Sequence, residues 1–135
     1  MEIPKRLNDL CYRIVGICME VHRELGPGLP EEYYQRAIEL DLTNGHIKHE
    51  AQRPIHVYYK SIPVGLSYLD FVIEGELVLE IKSVSRLDDV HLAQVLKYLA
   101  AAKLDVGLLV NFGESSLKYK NVVVPVTLQK ARHDL

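Results

Sequence analysis

Residues 68–82 read Tyr-Leu-Asp-Phe-Val-Ile-Glu-Gly-Glu-Leu-Val-Leu-Glu-Ile-Lys. Two apolar runs, Leu66 to Ile73 and Leu77 to Val84, flank Glu74-Gly75-Glu76, and this pattern predicts an antiparallel hairpin. In the second run Glu80 and Lys82 are two apart and share one strand face, while Leu77, Leu79 and Ile81 take the other. Asp70 interrupts the first run in the same way. Burying an unpaired charge is costly, so these three groups need one another, a metal ion or an open cleft.

A three-residue loop, Glu74 to Glu76, puts Asp70 directly opposite Glu80 with both side chains on one face. A two-residue Gly75-Glu76 turn would oppose Asp70 to Ile81 instead, unless a bulge intervened. The three-residue loop is the expectation taken forward. Paired carboxylates suit Mg²⁺, which takes one or two of them and keeps several waters, and Mn²⁺ accepts the same ligands. Lys82 beside such an ion would orient a water and neutralise charge developing on a phosphate. An ordinary ion pair of Lys82 with Asp70 or Glu80 satisfies the same pattern, so the residues alone leave both readings open.

Upstream, Leu7, Leu10, Ile14, Ile17, Val21 and Leu25 repeat every three or four residues and predict a helix that Gly26-Pro27-Gly28 ends. A second helix is expected from Glu31 to Thr43, with Glu31 and Glu32 favourable to its N-terminus and Asn44-Gly45 at its end. Pro54 to Lys60 reads as a strand turned by Ser61-Ile62-Pro63. Downstream, Asp88 to Lys103 returns to helical spacing, and the apolar run Val106 to Phe112 suggests a strand covered on both faces. Asn121 to Thr127 is expected as a last strand near an edge, because Pro125 removes a ladder donor. The order α-α-β-β-β-α-β-β predicts an α/β fold on a mixed sheet, in one domain spanning residues 1–135.

Composition narrows the classes. At 135 residues, 48% hydrophobic and 25% charged, the chain has the make-up of a globular protein able to bury a core without disulfides or a structural metal. The net charge of −2 provides no overall basic field, so contact with nucleic acid would need a local patch. No apolar run approaches the roughly 18 residues of a membrane span, and MEIPKRLNDL does not read as a signal peptide. Cys11 and Cys18, seven apart on one helix, would lie roughly 10 Å apart, too far for a disulfide. They read as small core residues in a reducing cytoplasm.

Several separated motifs resemble one family. Gly28-Leu29-Pro30-Glu31-Glu32-Tyr33-Tyr34 matches the G-x-x-E-x-x-Y motif of the small GxxExxY proteins, and residues 22–28, His-Arg-Glu-Leu-Gly-Pro-Gly, look like their lead-in. Asp70 followed by Glu80-Ile81-Lys82 resembles the core of the PD-(D/E)XK nuclease superfamily, and Gln94 with Tyr98 resembles the helix of its RecB-like branch. Residues 107–113, Gly-Leu-Leu-Val-Asn-Phe-Gly, are similar to the family's late strand. The resemblance implies a restriction-endonuclease-like mixed central sheet flanked by helices. It also implies a metal held by Asp70, Glu80 and the Ile81 carbonyl, a water served by Lys82, and an acidic site completed by Glu31.

Helical spacing adds that His91, Gln94 and Tyr98 share one face. Gln94 would position a phosphate or a water, with Tyr98 in support and His91 towards substrate; a solvated face with a half-buried tyrosine is the plain alternative. Tyr33 and Tyr34 read as packing residues, and His22 and Arg23 as charges favourable to a helix C-terminus. Lys48, His49, Arg53, Lys118, Lys120, Lys130, Arg132 and His133 are scattered, as on a solvated surface. The function expected is a Mg²⁺-dependent nuclease, with DNA favoured as substrate, in the cytoplasm, with no membrane partner, as a homodimer or within a repair or defence complex. The alternative is a non-cleaving nucleic-acid-binding or protein-interaction module that reuses the nuclease fold.

Overall fold

The computed structural model describes residues 3–125. The elements are α1 (Lys5–Leu25), α2 (Glu31–Asn44), β1 (His49–Tyr59), β2 (Ile62–Ile73), β3 (Leu77–Lys82), α3 (Asp89–Ala102), β4 (Val106–Asn111) and β5 (Lys118–Val123), in the expected order. The strands form one five-stranded sheet in the order β1-β2-β3-β4-β5. Only β3 and β4 run parallel, joined by α3 as the crossover, and the other neighbours are antiparallel. This is a restriction-endonuclease-like α/β sheet flanked by helices.

Alternation along β3 separates two cores. Leu77, Leu79 and Ile81 face α1 and α2 together with Phe71, Leu108, Val110 and Phe112. Val78 faces α3 with Val72, Leu109, Val95 and Leu99, and by the same alternation Glu80 and Lys82 project to the α3 side. Helix α3 lies very close to β4, where a Cβ on Gly107 would stand 2.9 Å from Val95 Cγ1. Helix α1 buries Leu7, Cys11, Ile14, Val15, Cys18, Val21 and His22, so its inner face is turned from the expected stripe towards the two cysteines, and Leu25 is left exposed. Both thiols are free and buried, and burial alone pushes Cys18 up to about 12.

Several boundaries differ from expectation, β1 beginning at His49 rather than Pro54 and β2 at Ile62 rather than Leu66. The turn between β1 and β2 is Lys60-Ser61, both with positive φ, and Ile62 and Pro63 already belong to β2. Two residues in the left-handed region suffice to close a hairpin whose twist matches its strands, so the arm is longer than a turn at Ser61-Ile62-Pro63 would allow. The last strand begins at Lys118 because residues 118–123 pair in register with β4, a pairing that the exposed, polar Lys118 and Lys120 hid from an apolar-run reading. It stops before Pro125, and the expected positions Val126 and Thr127 lie outside the described residues, as do Lys130, Arg132 and His133.

Candidate active site

The β2–β3 loop is the three-residue Glu74 to Glu76, with Phe71 opposite Leu79 and Ile73 opposite Leu77. The ladder ends at Phe71 and Leu79, and Asp70 and Glu80 occupy the next position. There side chains replace the ladder. The Asp70 amide donates to Glu80 Oε1 at 3.0 Å, and the Ile81 amide donates to Asp70 Oδ2 at 2.8 Å. Each carboxylate spends one oxygen on the main chain of the opposing strand.

The reason for the parting lies in β1 and β2. Leu69 and Val72 both face α3 although they are three apart, which regular alternation forbids. The β1–β2 ladder correspondingly omits the position of Gln52 and Asp70, and Gln52 has φ 53. Its side chain bridges Gln35 Oε1 on α2 at 2.9 Å and Asp70 Oδ1 at 3.3 Å. The break turns Asp70 off the regular face and ties it to α2.

Burial decides the electrostatics. Glu80 is 4% exposed, and burial together with the Asp70 charge raises it to about 8 despite the Asp70 amide and Lys82. Asp70 is also raised, first by burial and then by Glu31, against the lowering pull of the Ile81 amide, Gln52 and Lys82. Negative charge is therefore under-compensated here. Lys82 Nζ donates to Gln94 Oε1 at 2.9 Å, which holds the ammonium on the α3 side of the carboxylates.

Glu31 arrives from the other layer. Residues 28–32, with Gln35, Arg36, Gln52 and Ser83, line an open cleft of about 920 Å³. Gln52, in its wall, connects it to Asp70 through the side-chain hydrogen bond. The loop before α2 is tightly held: Tyr34 is fully buried, stacks on Phe112 at 4.3 Å, donates to the Gly26 carbonyl at 2.6 Å and accepts from the Leu29 amide at 2.9 Å. Gly28, at φ 84, donates its amide to the Phe112 carbonyl, and Ser83 Oγ donates to the Leu29 carbonyl at 2.6 Å. The residues between Gly28 and Tyr34 thus form a turn, an acidic residue at a helix start, and a buried anchor.

Asp70, Glu80, Lys82 and Gln94 are brought together, and Glu31 is near enough to raise both carboxylates. His91 and Tyr98 are placed differently. His91 Nδ1 accepts from the Asp88 amide in the capping box of α3, and Tyr98 packs half-buried against the α3-side core. Tyr33 is exposed, and His22 is buried with Nε2 2.9 Å from the Glu114 carbonyl oxygen.

Two residues of the site carried no functional reading from sequence. Gln52 has no local signal, since its role depends on a backbone break. Asn111 does have one, being the only polar residue in the run 106–112. Fully buried, its Oδ1 accepts from the Val84 and Gly113 amides, and its Nδ2 donates to the Val84 carbonyl and Glu114 Oε2, all at 2.9–3.0 Å. It ends β3 at Lys82 by taking over the main chain of Val84, short of the Val84 end expected for that strand.

Among the described residues no three His, Cys, Asp or Glu side chains gather closely enough to enclose an ion alone. A pair does fit Mg²⁺, which needs only one or two carboxylates. Asp70 and Glu80 supply hard oxygens in a buried place short of positive charge, the chemistry such a cation would satisfy. A second groove of about 560 Å³ between α1 and β5, walled by Tyr12, Val15, Met19 and Tyr119, holds no comparable set.

The model of the PD-(D/E)XK nuclease superfamily matches residues 8–122. The chain belongs to that superfamily. Its fold is similar to a solved structure described as SSO0001, with a TM-score of 0.52 and 19% identity over 76% of this chain and 55% of that one. This nuclease-superfamily chain therefore spans about half the length of that relative. An alkaline exonuclease from Laribacter hongkongensis aligns over 99% of this chain and 77% of its own, at a TM-score of 0.42 and 12% identity. No curated protein matches the sequence. No helix among the described residues is long and apolar enough to cross a membrane.

Proposed function

We propose that the chain is a divalent-metal-dependent nuclease that hydrolyses phosphodiester bonds of nucleic acid, with DNA favoured, as one nuclease-like domain of the GxxExxY kind within the RecB-like branch. The observation that carries the reading is the pair of buried Glu80 and half-buried Asp70, side by side at the end of a ladder with Lys82 at their flank. Asp70, Glu80 and the Ile81 carbonyl would hold Mg²⁺ or Mn²⁺. When bound, such an ion supplies Lewis acidity and lowers the pKa of a coordinated water.

The chain's own groups do the rest. Asp70 is held by the Ile81 amide and Gln52, so its carboxylate is oriented before substrate arrives. Lys82, aimed by Gln94, orients the attacking water and offsets charge developing on the phosphate. Glu31, at the start of α2, completes the acidic side of the cleft. His91 at the start of α3 and Tyr98 one turn beyond Gln94 flank the site, with substrate contact secondary to capping and packing. Hydrolysis of this kind leaves a 5′-phosphate and a 3′-hydroxyl.

The test incubates linear, single-stranded and branched DNA with the protein in Mg²⁺, Mn²⁺ or EDTA, beside Lys82→Ala. Metal-dependent cutting that falls by about a hundredfold or more in the variant is the expected result. Absence of cutting together with absence of metal binding at Asp70 and Glu80 overturns the reading.

A further inference from the structure

Beyond the site, β1 and β2 continue as a two-stranded arm. Its ladder runs from Arg53 opposite Leu69 out to Tyr59 opposite Ile62, closed by Lys60-Ser61. The register places Pro54 beside Tyr68 and His56 beside Leu66, so these four side chains share a face. Tyr58 joins them, with its ring 6.2 Å from that of His56. Tyr58, Tyr68 and Leu66 are 61%, 51% and 51% exposed. Scattered apolar side chains are ordinary on a surface, but contiguous ones on one face mark an interaction site.

Two observations say what covers the face. The face lies on the α2 side of the sheet, because Ile55 and Leu69 take the α3 side, and the cleft walled by Gln52 and Gln35 opens on that same side. In addition, residues 53–69 contain no Asp or Glu in a chain whose net charge is −2; His56 lies on the face, Lys60 at the tip of the arm, and Arg53, opposite Leu69, on the reverse face. A polyanion complements that arm. A second copy meeting it through a two-fold axis would set like charge against like.

We propose that the β1–β2 arm is a stacking platform for an unpaired nucleic-acid strand, with Tyr68 and Tyr58 receiving successive bases as the strand approaches Asp70. Aromatic rings bind any base through its π-face, and neighbouring cations track the phosphates. A duplex keeps its bases stacked on one another and cannot use these rings. The inference deepens the nuclease reading by naming the strand that the site prefers.

Fluorescence anisotropy in EDTA tests it, with labelled oligo-dT and a duplex of equal length. The double variant Tyr58→Leu/Tyr68→Leu keeps apolar bulk and removes the rings, and Tyr58→Phe/Tyr68→Phe restores them. The expected result is single-strand affinity about tenfold or more weaker in the Leu variant and recovered in the Phe variant, with duplex affinity little changed. Equal single-strand affinity in wild type and Leu variant overturns the proposal, even if wild type cuts DNA in Mg²⁺. So does a wild-type dimer in sedimentation that the Leu variant converts to monomer, since the arm is then a contact between copies. Ring-dependent binding without cutting under any metal sinks the nuclease reading and leaves the platform.

Discussion

Glu80→Gln separates the electrostatic account of the site from a purely geometric one. Glu80 titrates near 8 in the folded chain against its ordinary 4.5, because burial and Asp70 oppose its charge. Between those values the folded state holds a proton on Glu80 that the unfolded state has lost, so the contribution of Glu80 to stability falls as pH rises through the window and is level on either side. Integrated, the loss is on the order of 5 kcal/mol, a large share of the stability of a domain this size. Glutamine keeps an oxygen for the Asp70 amide and carries no charge. Urea unfolding in EDTA at pH 4.5, 6.5 and 8.5 should therefore show wild type losing stability with pH relative to Glu80→Gln, with the two nearest each other at pH 4.5. Adding Mg²⁺ at pH 8.5 should restore wild type and leave the variant unchanged. Parallel profiles, or a wild type that gains on the variant as pH rises, would refute the claim that the carboxylates stand under-compensated.

Other outcomes follow from single contacts. Tyr34→Phe removes both hydrogen bonds that hold the Gly26–Leu29 turn, and should cost about 1–3 kcal/mol in chemical denaturation with faster amide exchange at Leu29. Asn111→Leu strands the Val84 and Gly113 amides in the interior, and a loss of about 2–5 kcal/mol in urea unfolding is expected. Gly107→Ala drives a methyl against Val95, so it should destabilise by about 1–3 kcal/mol, and Val95→Ala in the same chain should recover part of the loss in a thermal melt.

Much of this arrangement was written in local pattern. The Glu74–Glu76 loop fixed the register, and with it the meeting of Asp70 and Glu80, because a strand's period of two leaves no freedom once a turn length is chosen. The E-x-K spacing placed Glu80 and Lys82 on one face, which the fold turns towards α3, where Gln94 waits four residues before Tyr98. Hidden were the features that depend on distant main chain. Gln52 gains its role only from a left-handed residue within a strand, and Asn111 only because Val84 passes beside it. His91 looked like a cleft residue by helical spacing, but the same position, third in a helix beginning after Asp88, suits a capping box. Two meanings of one spacing were indistinguishable without the fold.

The turn before α2 has a consequence for how the protein comes into being. It is fastened to Phe112 and Ser83, and His22 reaches Glu114 across 92 positions of chain. Contacts so far apart cannot form before loop closure over most of the molecule, whose entropy must be met first. A nascent chain emerging only as far as Lys82 already carries Asp70 and Glu80, yet it lacks Ser83, which holds the Leu29 carbonyl, and Phe112, on which Tyr34 stacks. If the site works as proposed, hydrolytic competence would then arrive only with β4, and a chain ending before that strand would not cut nucleic acid. Nicking by fragments ending before residue 106, compared with the whole chain, is how that timing would be seen.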